Sequence, residues 1–355
     1  MTSTDGFVRR SVLRSGGTVA MTALTGCIGE LGDTKTTQKD TRSGQSDTYR
    51  NPVYNHVFAD PTVTSTDGSY FAYGTYQDWG RPGQRPLIPI LRSQNLVDWQ
   101  FVGEAFQQKP KWRDQGGLWA PDIARVQGRY VLYYSYASFQ AGNPGIGVAT
   151  AATPTGPFDD HGPLFRSNEI GVSHSIDPCL LVHHGTPYLF WGSHAGIYGI
   201  RLSSDGLRTT GEKFQIVGEG VEAAYLIKRG DYIYFFGSRG SCCEGAKSTY
   251  HVVVGRSRKL RGPYQNKNGE NLLSATGTTI LHGSNQFAGP GHCAVLRGPN
   301  GDYWILYHAY VRSNPWVGPM PRRVLMLDRL VWNDRWPVVP NKKPSVKHAT
   351  PPTNR

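Results

Sequence analysis

Charge is scarce in this sequence. Only 18% of its 355 residues are Asp, Glu, Lys or Arg, whereas it holds 43 Gly, 24 Pro, 19 Tyr and 9 Trp. That balance argues against long amphipathic helices and favours many turns and short strands, so an all-β fold is expected. Beyond the first 27 residues the chain lacks any apolar run of transmembrane length, and a soluble body follows. Clustered basic residues are also missing. The formal charge of +12 is scattered apart from Arg256-Ser257-Arg258-Lys259 and Lys342-Lys343, and no nucleic-acid-binding motif occurs, so no nucleic-acid partner is expected. Cysteine is rare: of Cys27, Cys179, Cys242, Cys243 and Cys293, none has C-x-x-C spacing, which excludes a thiolate zinc site. Cys242 and Cys243 are adjacent, and because a disulfide between neighbours is strained, both are expected as packed thiols.

The N-terminus reads as an export segment. Arg9-Arg10-Ser11-Val12-Leu13-Arg14 is a twin-arginine type start, followed by the weakly apolar stretch from Gly16 to Leu24. Leu24-Thr25-Gly26-Cys27 resembles a lipobox, in which Cys27 would carry the lipid and be the only membrane link. Residues 1–27 are therefore expected to be a signal segment, 28–49 a polar flexible tether, 50–345 the folded domain and 346–355 a polar tail. An extracellular or cell-surface monomer is expected.

Within the domain one pattern recurs: a turn glycine, then a strand-length run rich in Tyr and Phe. It starts at Gly68, Gly128, Gly185, Gly230 and Gly301, at spacings of 60, 57, 45 and 71 residues. That period suits a unit of four short strands, and five copies predict a five-bladed β-propeller with four antiparallel strands per blade. Six to nine residues before each glycine stands a polar residue: Asp60, Asp122, Asp177, Glu222 and His292. These five are expected at one structural position, converging on the central axis.

Carboxylates brought together cannot all ionise at ordinary pKa values, which separates acids from bases. Glycosidic cleavage needs that division, one protonated carboxyl for the leaving oxygen and one carboxylate to activate water or attack carbon. A cation is the alternative occupant for such oxygens. His292 reads equally as ligand of a mostly hydrated ion and as a hydrogen-bonded core histidine.

From Asn51 to about Pro340 the chain resembles glycoside hydrolase family 43, especially its arabinan endo-1,5-α-L-arabinosidases. The resemblance rests on the three acids in Phe58-Ala-Asp-Pro61, Ile176-Asp-Pro178 and Val221-Glu-Ala-Ala-Tyr225. It rests also on Leu118-Trp-Ala-Pro-Asp122, Gly289-Pro-Gly-His292 and the stretch from Gly237-Ser-Arg-Gly-Ser-Cys-Cys-Glu-Gly245 to Gly262-Pro-Tyr264. It implies that Asp60 is the general base, Glu222 the general acid and Asp177 the carboxylate that raises and orients the acid, with inversion at the anomeric carbon. Trp119 would be a sugar-stacking platform and Ser193 a polar sugar contact, with ordinary blade packing as the other reading of both. Asp122, in the same motif as Trp119, is counted with them. His292 would lie near a calcium or other cation, and no organic cofactor is implied. Arabinan or a related arabinose-containing polysaccharide is the expected partner. Exo-acting arabinofuranosidases or β-xylosidases of the family, and a surface lipoprotein that binds glycan without cutting it, are the competing readings.

Overall fold

The computed structural model describes residues 48–349, apart from 81, 82 and 299. The export segment, Cys27 and the tether up to residue 47 lie outside the described residues. Each repeat glycine has positive φ, and in Asp67-Gly68, Gln127-Gly128 and His184-Gly185 both residues do. That pair of left-handed conformations makes a two-residue hairpin turn whose twist matches the flanking strands. The Tyr- and Phe-rich runs that follow are strands buried on both faces, as in Arg129–Ala137 and Tyr232–Arg239.

The strands form five antiparallel blades. The first holds Thr62–Thr66, Ser69–Tyr73, Pro89–Ser93 and Gln100–Glu104. The second holds Gly117–Val126, Arg129–Ala137, Gly145–Ala151 and Asp159–Arg166. Cys179–His183, Thr186–Trp191, Ile197–Leu202 and Thr209–Val217 make the third. Glu222–Arg229, Tyr232–Arg239, His251–Ser257 and Thr278–Leu281 make the fourth. The fifth takes Phe287–Arg297, Tyr303–Val311 and Arg323–Asn333 from the C-terminal part and its last strand, Tyr54–Val57, from the other end of the chain.

That exchange closes the ring and covers what would be an open sheet edge. A second pair, Thr48–Arg50 with Lys347–Ala349, seals the same blade. The polar tail expected from residue 346 therefore begins as a strand. The physical reason is Asn51: its amide donates to the carbonyl oxygens of Leu327 (2.8 Å) and Ser345 (3.1 Å) and accepts from Leu327 N–H (2.9 Å). Tyr49 Oη adds a bond to Leu327 O.

Five apolar clusters fill the blade interfaces. Between the fourth and fifth blades Phe236 and Val252 meet Ile305 and Tyr307, and across the closure Phe58 and Tyr70 meet Leu306 and Leu325. Each fully buried large side chain contributes roughly 1.5–3 kcal/mol, so the blades hold one another rather than folding singly.

Cys242 and Cys243 correct one expectation: they are joined as a disulfide. The loop after Tyr232–Arg239 leaves both half-buried on the wall of a cavity instead of packed in a blade interface. Cys179 and Cys293 are free and buried.

Candidate active site

The first strand of each blade enters with a residue of left-handed backbone: Asp60 (φ 54°), Ala120 (42°), Asp177 (59°), Ala223 (58°) and His292 (46°). Four of their N–H groups donate to the end of the second strand of the preceding blade: Asp60 to His308 Nδ1, Ala120 to Thr75 Oγ1, Asp177 to Ser135 Oγ and His292 to Ser238 Oγ. In the fourth blade Ala223 N–H goes instead to Asp177 Oδ2 at 3.0 Å. The five-fold register is real, but its members are these five. Glu222 sits one residue earlier, paired with Ser238 as Trp119 is with Ser135, and Asp122 lies two residues past the ring beyond a bulge. A one-residue offset turns a side chain to the other face of a strand, which is how Glu222 and Ala223 come to divide the work of one position.

Asp60 is held as an anion. Arg323 Nη1 donates to Oδ1 at 2.9 Å, Thr75 Oγ1 donates to Oδ2 at 2.5 Å, and His292 Nδ1 lies 3.3 Å from Oδ1. Burial opposes the charge, but Arg323 and then the two histidines overcome it and keep the carboxyl well below the usual carboxylate range. Thr75 is itself fixed by Ala120 N–H at 2.8 Å. His308 is wholly buried, and its Nδ1 lies 3.1 Å from Asp60 N and 3.2 Å from Asp60 Oδ1. Burial, foremost, pushes its pKa down to about 4.

Asp177 and Glu222 form the opposite case. Burial, then the charges of Glu222 and Asp60, raises Asp177 well above the carboxylate range. Glu222 is equally buried, but its Oε2 accepts from Ser193 Oγ at 2.7 Å and lies 3.1 Å from His194 Nε2, and Tyr250 reaches the same carboxyl. Those bonds outweigh burial and lower its pKa. Two adjacent buried carboxyls of this kind hold one proton between them, resting on Asp177 while Glu222 is fully hydrogen-bonded.

All three acids line one cavity of about 1200 Å³, with Trp119, Ser193, His194, Tyr250, His292 and Arg323 on its wall. A model of the glycosyl hydrolases family 43 matches residues 49–337. The chain belongs to that family. An extracellular endo-α-(1→5)-L-arabinanase of Bacillus subtilis is 31% identical over 297 residues, 80% of this chain and 88% of the relative. An extracellular exo-α-(1→5)-L-arabinofuranosidase of Cellvibrio japonicus is 29% identical, over 80% and 86%. Among solved structures, the α-L-arabinanase of Cellvibrio cellulosa complexed with arabinohexaose superposes with a TM-score of 0.71 at 28% identity, covering 81% of this chain and 96% of that one.

The cavity of this family 43 glycosidase sorts the remaining candidates. Trp119 faces it and pairs with Phe139, ring centroids 4.8 Å apart, while Phe139 is 86% exposed. Ser193 lines it but points at Glu222. Asp122 does not line it: its carboxyl accepts from Thr62 Oγ1 (2.8 Å) and Leu180 N–H (2.7 Å), tying the first, second and third blades together. Its expected sugar contact is therefore withdrawn, for the register reason above. His292 offers one imidazole, and among the described residues no three His, Cys, Asp or Glu side chains gather as metal ligands. A cation beside His292 would therefore take its remaining ligands from water, as a mostly hydrated ion. No step below is routed through an ion.

Sequence reasoning missed Arg323, His308, Thr75, Tyr250 and His194. A signal for two of them was present: the repeated runs end in Thr75, Ser135, Ser193, Ser238 and His308, the very groups that receive the left-handed residues or Glu222.

Proposed function

We propose that this family 43 glycosidase cleaves internal α-1,5-L-arabinofuranosidic bonds of arabinan by single displacement with inversion. The observation that carries the reading is the division of charge in the cavity: an ionised Asp60 clamped by Arg323, facing the buried Asp177–Glu222 pair that retains a proton. Asp60 takes the proton of the attacking water. Glu222 takes over the proton that rests on Asp177 and gives it to the leaving oxygen. Asp177, one hydrogen bond from the Glu222 strand, acts as the store of that proton and not, as expected from the sequence, as the group that raises the Glu222 pKa. Trp119 and Phe139 present aromatic faces to the apolar sides of sugar rings. The endo assignment is supported by the relatives' printed activities, and the exo-acting relative keeps release of single arabinose units as the second reading.

Chromatography of early products from linear α-1,5-arabinan separates them. A ladder of mixed oligosaccharides is expected. Arabinose alone from the first time points would assign the exo reading, and an intact polymer with a folded enzyme would remove both. The export expectation is proposed with the reading: polymer cleavage takes place outside the cell, as the word extracellular in both relatives' names supports.

A further inference from the structure

His194 has so far entered only as a hydrogen-bond partner that lowers the Glu222 pKa. It sits between Thr186–Trp191 and Ile197–Leu202, with left-handed backbone (φ 56°) and two backbone bonds to the segment entering Glu222: His194 N–H to Val221 O (3.0 Å) and Gly220 N–H to His194 O (2.8 Å). A histidine in that conformation is strained and persists where the surroundings fix it. What they fix is the ring: Nε2 is 3.1 Å from Glu222 Oε2, while 53% of the side chain is open to solvent in the cavity. The groups around it are Glu222 on the next strand, Tyr250 and Asp177 beyond Glu222, and Arg239 behind Gly220.

We propose that His194 is a positioning residue that holds a proton jointly with Glu222 and returns it to the acid after each cleavage. The inference rests on Glu222 being the acid. In the cleavage step the glycosidic C–O bond breaks, the proton of Glu222 moves to the leaving oxygen, and water adds to carbon while its proton goes to Asp60. Solvent then protonates the exposed His194 ring, which shares that proton with Oε2 of Glu222 through Nε2 and so restores the acid, and Asp60 releases its proton to solvent. The shared proton is retained to a higher pH than a lone carboxyl would keep it. In the same direction, the hydrogen bond to Glu222 raises the histidine's pKa against the smaller opposing effect of burial.

The test compares His194→Gln, which can still donate to Oε2 but cannot hold the proton, with His194→Phe, which does neither. Both are checked for folding by melting temperature. On arabinan, kcat should fall about tenfold in each, and the alkaline limb of kcat/KM should move to lower pH by about one unit. On an aryl arabinofuranoside with a good leaving group, which needs no acid, kcat should stay near the parent's. An unmoved alkaline limb, or a loss confined to KM or equal on both substrates, overturns the proposal. Glu222→Ala run alongside separates the two failures: if it is as active as the parent, the acid reading falls and this inference with it. If it is inactive on arabinan while the His194 variants keep the parent profile, only this inference falls.

Discussion

At the scale of single residues, the site works because one carboxyl is set against a guanidinium and two others against each other. Arg323 is the main positive charge on Asp60, so Arg323→Met should let the Asp60 pKa rise, and the acid limb of kcat/KM should then move to higher pH as the base is protonated sooner. A pH–rate profile that keeps its acid limb would show that Arg323 does not set the base. Asp122 behaves differently. Burial raises its pKa to about 6, above the roughly 3.9 of an unfolded Asp, so its contribution to stability is fully present below about pH 4 and is lost as pH rises through 6. Asp122→Asn should remove about 2–3 kcal/mol of that pH dependence between pH 4 and 7 in urea unfolding. The same variant should leave kcat/KM on arabinan within about threefold, because position 122 lies outside the cavity, where substitutions act on stability rather than on substrate. A larger loss of activity would return Asp122 to the sugar site. Asp60 and Asp177 were legible in the sequence because each stands in the same place before a repeat. Arg323 was not, because a lone Arg in an apolar strand says nothing about which carboxylate lies across the axis, whereas His308 was marked only by its place at the end of a repeated run.

At the scale of elements, the blades were legible and their closure was not. Turn glycines and Tyr-rich runs announce local hairpins, but Tyr54–Val57 joins a blade whose other strands begin at Phe287, and no local pattern encodes so distant a partner. The offset of Glu222 was hidden for a related reason: bulges after Glu222 and Trp119 change the register without a sequence mark. The closure should be costly to weaken. Phe58, fully buried in the cluster between the first and fifth blades, should cost about 3–5 kcal/mol as Phe58→Ala, read from the urea midpoint. A change below about 1 kcal/mol would mean that the closing strand is not part of the cooperative unit.

For the whole molecule, the ring is the device that turns five separated chain segments into one chemical site. Each blade delivers one left-handed residue to the axis, three of the five are Asp60, Asp177 and His292, and Glu222 enters beside a fourth. The arrangement leaves an ionised base and a proton-holding pair in one cavity, which is the requirement of single displacement. The anomeric configuration of the first product tests this most directly. In proton NMR of arabinan hydrolysis at early times, the account predicts that the newly formed reducing ends appear first as the β-anomer and then mutarotate, with no signal from Glu222→Ala. Initial release of the α-anomer would mean retention through a covalent intermediate, and would contradict the assignment of Asp60 as a base that activates water.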